Sequence, residues 1–167
     1  MAAKTGTYTL INSATISGTG TASITFSSIP QTYTDLVVVA NCSGPSGDPF
    51  VRLNGDSDAN YSDTWVEGRT SGAVSGRYTN RNFFYFGYEG TTRASIKMNS
   101  IFNIADYSNA TTYKTSIWKY GDVDYSVEAH AGLWRSTSAI TSIVIGLTSG
   151  NFNSGSNVKL YGIEAAK

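Results

Sequence analysis

The chain has few charged side chains and little of the chemistry on which catalytic and metal sites depend. Charged residues make up 14 % of its 167 residues, against about 25 % in a typical globular domain. Twelve basic and twelve acidic residues give a formal net charge of zero. A neutral chain has no long-range field that would attract nucleic acid or an anionic membrane. We therefore expect neither as a partner.

Cysteine and histidine each occur once, as Cys42 and His130. A single cysteine excludes an intramolecular disulfide framework, and it indicates a small buried thiol in a reducing compartment. Any zinc site or catalytic dyad that uses histidine would have to use His130. No apolar run near the N-terminus suggests a signal peptide, and no stretch approaches the 18 apolar residues of a membrane helix.

Small hydroxylated and aromatic residues are abundant instead. Serine and threonine together number 42, and the chain has 11 Tyr, 7 Phe, 3 Trp and 17 Gly. Apolar residues alternate with period two at short intervals, whereas the helical period fails almost everywhere. The pattern predicts an all-β fold, a jelly-roll-like antiparallel β-sandwich of about nine or ten strands. We expect one domain over residues 7–167, preceded by an N-terminal arm at residues 1–6.

Several segments carry more detailed predictions. The run LVVVA within 35–41 indicates a strand in the interior of a sheet, because both of its faces are apolar. Segments 7–11 and 22–26 suggest a first hairpin or edge pair, and 77–88 reads as one strand. A slip of phase at Ile101 and Phe102 suggests a bulge or a bend of the strand. The clearest alternation lies in 125–134, where Val127, Ala129, Ala131 and Leu133 oppose Ser126, Glu128, His130 and Trp134.

The segment NGDSDAN at 54–60 is the strongest metal-binding pattern in the chain. Asp56, Asp58 and Asn60 occupy the first, third and fifth positions of an EF-hand loop. The sixth position, which requires glycine, holds Tyr61, and neither flank is helical. The preferred interpretation is an Asx-type turn without metal, and the three residues remain weak candidates for a Ca²⁺ site of another geometry.

Catalytic interpretations of the sequence are weak, and we expect no enzymatic activity. Residues two apart on a strand lie about 6.8 Å apart, so Ser126, Glu128 and His130 should be too distant for a triad, and a surface or interface histidine is favoured. A pair of carboxylates for polysaccharide hydrolysis could be drawn from Glu67, Glu89, Glu128 and the aspartates. Nothing selects one pair. Phosphate-binding glycine motifs are absent, so no cofactor is expected.

The aromatic residues exceed what a small core needs. Tyrosine and tryptophan combine an apolar ring with a polar tip, which suits subunit interfaces and stacking on sugars. The candidates for an interface or for glycan stacking are Trp65, Tyr85, Trp118 and Trp134. Packing in the core and at a subunit interface is the simpler explanation for these aromatic residues. The alternative is an aromatic surface on which carbohydrate stacks.

Taken as a set, several segments resemble small structural proteins encoded by tailed bacteriophages. The resemblance covers about residues 7–163, and its motifs are strand and turn sequences. They are YTLINS at 8–13, FSSIPQTYTDLV at 26–37, LNGD at 53–56, NYS at 60–62, GLW at 132–134, AITSI at 139–143, GNF at 150–152 and LYGI at 160–163. The sequence departs from them at Asp58 and in the aromatic run 83–86.

The resemblance implies a β-sandwich virion protein without enzymatic activity or cofactor. Such proteins are capsid decoration (cement) proteins or components of tails and fibres. On this basis we expect a homotrimer on the capsid surface that contacts the major capsid protein or other virion proteins and stabilises the capsid lattice. The alternative is a tail or fibre module that binds host-surface glycans.

Overall fold

The chain forms a two-layer antiparallel β-sandwich with a jelly-roll-like arrangement, which confirms the predicted fold class. The computed structural model describes residues 7–45, 47–87, 96–122 and 126–164. Those ranges hold twelve strands and no α-helix, so the strand count exceeds the predicted nine or ten. The strands are β1 (Tyr8–Thr15), β2 (Ser23–Phe26), β3 (Asp35–Gly44), β4 (Pro49–Leu53), β5 (Tyr61–Arg69), β6 (Gly72–Arg81), β7 (Phe84–Tyr85), β8 (Ile96–Ile104), β9 (Lys114–Asp122), β10 (Ser126–Trp134), β11 (Ile143–Leu147) and β12 (Asn157–Ile163).

The two layers differ in size. The large sheet has eight strands in the order β1-β12-β3-β8-β9-β10-β5-β6, and the small sheet has four in the order β2-β11-β4-β7. The inner face of the large sheet faces the small sheet, and its outer face is turned away from it. Because the small sheet is only half as wide, it cannot cover the whole inner face. Across the part of the chain described, no helix is long and apolar enough to span a membrane.

Strand β3 occupies an interior position, as its apolar run predicts. It pairs with β12 on one side and with β8 on the other. Leu36 and Val38 point into the core and are fully buried, and Val37 on the outer face is only 2 % exposed. A strand covered in this way suits β-branched residues, which pack well on a pleated surface.

The core between the sheets is rich in aromatic rings. Phe84 of β7 packs edge-on against Tyr61 with ring centroids 4.9 Å apart, and it also contacts Trp118 at 5.0 Å. Phe102 stacks on Trp118 at 4.9 Å. Such pairs add about 0.5–1.5 kcal/mol each beyond the apolar area they bury. Phe84 therefore links β7 of the small sheet to β5 and β9 of the large one across the core.

Asn54 and Gly55 form the tight turn that the sequence predicts after β4. Both residues have positive φ, 53° and 68°, which asparagine and glycine tolerate better than other residues. The side-chain Oδ1 of Asn54 accepts hydrogen bonds from the backbone N–H groups of Thr141 and Ser142, at 2.8 and 3.1 Å. The turn thereby fixes the entry to β11.

Three local predictions were wrong. Strands β1 and β2 do not form a hairpin, because β1 pairs with β12 and β2 pairs with β11 in the other sheet. The segment 77–88 divides into β6 and β7, which also belong to different sheets. Pairing of β8 continues without a register shift through Ile101 and Phe102. The expected bulge is absent there because Ser100 is an inward residue and Ile101 an outward one.

The predicted N-terminal arm, residues 1–6, lies outside the described residues. Strand β1 begins immediately after it, at one edge of the large sheet. Its pairing with β12 shifts register between Leu10 and Asn12, so the irregularity in the large sheet lies here and not in β8. A second shift lies between Tyr61 and Asp63 in the β5–β6 pair.

Candidate functional site

Strand pairing brings several ionisable residues together on the inner face of β10 and β5. Glu128 lies directly opposite Glu67, and His130 lies directly opposite Trp65. Two like charges placed directly opposite each other on neighbouring strands destabilise a sheet. With Arg69, these residues line a pocket of about 40 Å³ that Tyr78, Tyr85 and Gly87 complete. We call it the His130 pocket.

His130 is held on both ring nitrogens by carboxylates. Its Nδ1 lies 2.9 Å from Asp63 Oδ2, and its Nε2 lies 2.9 Å from Glu128 Oε2. The imidazole also stacks on the indole of Trp118, with centroids 4.6 Å apart and planes 12° from parallel. Burial by itself would lower the pKa of His130, but the hydrogen bonds and charges of the two carboxylates outweigh it and raise that pKa. The protonated form is therefore favoured.

Glu67 presents an acceptor inside the pocket. Its side chain is 2 % exposed, and its Oε2 accepts a hydrogen bond from Arg69 Nη2 at 2.5 Å. Its Oε1 has no hydrogen-bond partner among the described residues, and the same is true of the indole Nε1 of Trp65. Buried polar atoms are nearly always hydrogen-bonded. Two residues that line the pocket thus carry one acceptor and one donor without a partner in the part of the chain described.

A row of aromatic rings leads to the His130 pocket. The rings are those of Phe50, Phe83, Tyr85, Tyr78 and Trp65, and neighbouring centroids lie 5.0–6.0 Å apart. We call this row the aromatic ladder. Two guanidinium groups stack on it: Arg52 lies 4.9 Å from the Phe50 centroid, and Arg81 lies 4.3 Å from that of Tyr78. The ladder crosses from the small sheet to β6 at the edge of the large sheet.

Gly76 allows Trp65 to lie flat at the end of the ladder. It faces Trp65 across the β5–β6 pair, and a Cβ atom there would come within 2.6 Å of the indole Cζ2. Real Cβ atoms essentially never approach so closely. A side chain at this position would therefore displace the indole.

A second candidate surface lies on the outer face of the large sheet. Four aliphatic side chains there are markedly exposed: Val127 and Ile117 at 65 %, Val66 at 56 % and Ile101 at 39 %. Together with Ala129 they form what we call the outer patch. Most of it lines a shallow groove of about 750 Å³ along β3, β8, β9, β10 and β5. Apolar patches of this kind commonly mark interaction sites.

The four aromatic candidates divide into two groups. Trp65 and Tyr85 both line the His130 pocket, but only Trp65 is partly exposed, and Tyr85 is 6 % exposed. Trp118 and Trp134 are only 1 % and 2 % exposed, so the expectation that their rings are available to a glycan or a partner is corrected. Both point inward from β9 and β10, where large rings fill the core.

The predicted Asx turn is present at Asp56. Asp56 Oδ1 accepts the backbone N–H of Asp58 at 2.8 Å, and its Oδ2 accepts from Asn60 Nδ2 at 2.9 Å and from Trp134 Nε1 at 2.6 Å. Burial tends to raise the pKa of Asp56, but these donors lower it below its usual value. Since N–H donors already occupy both oxygens, the carboxylate has little left for a metal. Within the described ranges, no three His, Cys, Asp or Glu side chains are placed so that they could hold a metal ion.

Two predictions for His130 were wrong: that it lies at the surface, and that strand spacing keeps it too far from Glu128 for a hydrogen bond. The residue is 4 % exposed, not a surface histidine. Although residues two apart on a strand have distant Cα atoms, the side chains of His130 and Glu128 lean together and meet at 2.9 Å. Ser126 is not part of this contact, because its Oγ lies 3.5 Å from the hydroxyl of Tyr120. Glu89, another carboxylate considered above, lies outside the described residues.

Cys42 is buried, as expected for a small core thiol. It is 2 % exposed. Desolvation raises its pKa to about 11, against the opposing effect of a hydrogen bond to the backbone of Asn157. A thiol with a raised pKa is a poor nucleophile at neutral pH.

Sequence reasoning missed the convergence of Asp63, Glu67, Glu128 and His130. The alternation in β10 does place Glu128 and His130 on one face. No local signal shows that β5 lies beside β10, because nearly sixty residues separate the two strands in the chain. Only the strand order reveals the cluster.

Comparison with known proteins yields architectural likeness alone. No family model matches the chain, and no curated protein matches it. Among solved structures, a human SPRY domain has a TM-score of 0.37 at 12 % identity, covering 96 % of this chain and 99 % of that one. Galectin LEC-6 of Caenorhabditis elegans has a TM-score of 0.35 at 6 % identity, covering 92 % and 96 %.

A tail fibre protein of an Escherichia coli phage has a TM-score of 0.33 at 14 % identity. The match covers 81 % of this chain and 15 % of the fibre protein. None of these similarities carries a functional argument.

Proposed function

We propose that the chain is a structural protein of a tailed-bacteriophage virion, a capsid decoration protein that self-associates on the capsid surface and stabilises the lattice of the major capsid protein. The set of strand and turn motifs described above suggests this class. The observation that carries the proposal is the outer patch, an exposed aliphatic surface on a chain without net charge. Zero net charge leaves no overall repulsion between copies.

The groove that holds most of the outer patch is large enough for a specific contact between copies. Its five strands, about 4.8 Å apart and each with about three outward residues about 6.8 Å apart, span roughly 24 Å by 20 Å. Two such faces would bury on the order of 1,000 Å², the lower bound for a specific interface. A second copy of the chain is therefore the occupant we propose.

A trimer requires two different surfaces that meet head to tail around a closed ring. The outer patch supplies one at β9, β10 and β5. Tyr8 and Leu10 of β1, 58 % and 53 % exposed, supply an apolar surface at the opposite edge of the same sheet. In the proposed homotrimer, the outer patch of each copy contacts β1 of the next.

Light scattering after size exclusion tests this arrangement. The unmodified chain should have the mass of a trimer, and both Val127→Asp and Leu10→Asp should have that of a monomer. Ser57→Asp, which adds the same charge in an exposed turn, should remain trimeric. A dimer that only Val127→Asp dissociates would contradict the ring. A monomeric chain that also fails to sediment with expanded capsids would contradict the decoration function.

A second candidate function is the binding of host-surface glycans as a module of a tail or fibre. The aromatic ladder favours it, because successive aromatic rings next to hydrogen-bonding groups suit stacking on sugar rings. A glycan array probed with the unmodified chain should show binding that Trp65→Ala abolishes. Tyr113→Ala removes an aromatic ring that is 53 % exposed and lies outside the ladder, so it should bind normally. Binding that survives Trp65→Ala would contradict a site at the ladder.

A further inference from the structure

We infer that the His130 pocket takes a neutral hydroxyl group and rejects a carboxylate, so that it selects neutral sugars over acidic ones. This inference rests on the second candidate function, glycan binding at the aromatic ladder. It follows from three features of the pocket: its unpartnered atoms, its charge and its size.

The first feature is the pairing of one donor with one acceptor. Trp65 Nε1 can only donate, Glu67 Oε1 can only accept when ionised, and neither has a partner among the described residues. A hydroxyl group both donates and accepts, so one hydroxyl, or two on neighbouring carbons, can satisfy both atoms. An ammonium group could satisfy only Glu67. A carboxylate could satisfy only Trp65, and it would face Glu67 directly.

The second feature is that the cations of the pocket are already paired with its carboxylates. Glu67 and Glu128 face each other across the strands, and Asp63 lies on the far side of His130. The lining holds two carboxylates and two cations. Arg69 already donates to Glu67, and both ring nitrogens of His130 are already bonded to Asp63 and Glu128. The guanidinium of Arg81 lies one ring away, over Tyr78. A ligand carboxylate would therefore add a negative charge that the lining cations, already bonded to its own carboxylates, do not compensate. A second buried anion would be costly, because charges interact strongly where water is excluded.

The third feature is the small volume. About 40 Å³ is close to the roughly 30 Å³ that one water molecule occupies in the liquid. The pocket can therefore admit a hydroxyl or hydroxymethyl group but not a sugar ring. The ring would remain outside, against the aromatic ladder, while one substituent enters between Trp65 and Glu67.

Matched ligands separate charge from shape. Galactose oligomers and galacturonate oligomers of equal length differ at C6, where a hydroxymethyl group is replaced by a carboxylate. Calorimetric titration should give the neutral series at least about tenfold tighter binding, the effect of about 1.4 kcal/mol. Arrays that contain other neutral and uronic pairs extend the test to sugars of different configuration.

Three variants test whether Glu67 Oε1 and Trp65 Nε1 are the atoms that bind the ligand hydroxyl. Glu67→Gln removes the charge and keeps the shape, so it should reduce the preference for neutral ligands severalfold while neutral ligands still bind. Trp65→Phe keeps a ring and removes the N–H group, so it should weaken neutral binding about five- to twentyfold. Gly76→Ala should weaken both series by displacing the indole, without altering any polar group.

The outcomes distinguish a failure of the selectivity inferred for the His130 pocket from a failure of glycan binding at the aromatic ladder. Equal or tighter binding of the uronic series, or an unchanged preference in Glu67→Gln, would overturn the inference while glycan binding at the ladder stands. Absence of binding to any neutral or acidic glycan would overturn both. Circular dichroism of each variant confirms that a loss of binding does not reflect unfolding.

Discussion

The inner face of the large sheet is apolar at one end and ionisable at the other. On β3, Leu36, Val38 and Cys42 point inward and are buried under the small sheet. On β10 the inward residues include Glu128 and His130, equally buried but polar. Apolar residues at one end and ionisable residues at the other are thus buried to a similar extent. Apolar side chains stabilise the fold simply by leaving water, whereas buried charges must be paired to be tolerated at all.

At the ionisable end of the sheet, the outer face carries apolar residues. On β10 the outward residues are aliphatic, with Val127 65 % exposed. Packing of the fold alone does not explain a strand that buries polar residues and exposes apolar ones. We interpret both departures as sites: the inner one for a ligand and the outer one for another copy of the chain. Substitutions at matched positions can test this interpretation.

The largest effect is expected at the apolar end. Phe102→Ala removes a fully buried ring that stacks on Trp118 at 4.9 Å, and should lower the free energy of unfolding by about 3–5 kcal/mol. Ile101→Ala, one residue away on the outer face, is the matched control and should lose less than about 1 kcal/mol. Urea denaturation measures both. Equal losses would show that the outer face is as tightly packed as the inner one.

His130→Gln should have the next largest effect. It removes a positive charge that lies 2.9 Å from both Asp63 and Glu128. Hydrogen bonds to charged groups contribute about 1.5–3 kcal/mol each, so we expect a loss of about 2–3 kcal/mol near pH 6. A variant as stable as the unmodified chain would mean that the carboxylates do not depend on the imidazolium.

The effect of His130→Gln should also depend on pH. Because the folded chain has a raised His130 pKa, protonation stabilises it fully below the unfolded value of about 6.5. That contribution is lost as the pH rises through the raised pKa. The difference in unfolding free energy between the unmodified chain and His130→Gln should therefore shrink from pH 6 to pH 9. A difference that is constant or grows would contradict a protonated His130.

The two ends of the sheet also differ in how far the sequence predicts them. The apolar end is predictable because every residue of the run LVVVA is apolar, and such a run indicates a strand that is covered on both faces. The polar end is not, because alternation in β10 identifies two faces without saying which is buried. The usual rule would bury Val127, Ala129 and Ala131. The observed orientation is the opposite, because the rings of Trp118 and Trp134 fill the core. Glu128 and His130 lie on the same face as these rings and therefore also point inward.

The candidate site follows the same division. Trp65 and Tyr85, two of the four rings proposed from the sequence, line the His130 pocket, although Tyr85 is itself buried. The other two, Trp118 and Trp134, are buried in the core, and ring chemistry alone does not reveal the direction of a side chain. The pairing of Glu67 with Glu128 depends on the adjacency of β5 and β10, a long-range property that no local pattern encodes.

Glu67→Gln should affect stability much less than His130→Gln. It weakens a pair with Arg69, whose side chain is 31 % exposed and can be solvated. It also removes the repulsion from Glu128 directly opposite. These changes oppose each other, and we expect a net change within about 1 kcal/mol. A loss as large as that of His130→Gln would indicate that Glu67 is a structural residue and not primarily a ligand-binding one.

The smallest effect is expected from Val127→Thr, compared with Val38→Thr. Both exchange a methyl for a hydroxyl of similar size, but Val38 is fully buried and Val127 is 65 % exposed. Val38→Thr should cost about 1–3 kcal/mol, because it buries a hydroxyl in an apolar layer. In solution dilute enough to dissociate the proposed trimer, Val127→Thr should change stability by no more than about 0.5 kcal/mol.

Protein concentration separates the two roles of an outer valine. If Val127 contacts a second copy, the midpoint of thermal unfolding of the unmodified chain rises with concentration, because association stabilises the folded state by mass action. Val127→Thr should weaken that rise and leave the dilute value unchanged. Val38→Thr should lower the midpoint by a similar amount at every concentration. An unmodified chain whose midpoint does not depend on concentration would show that the outer patch is not covered by another copy, even though its valines and isoleucines remain exposed to water.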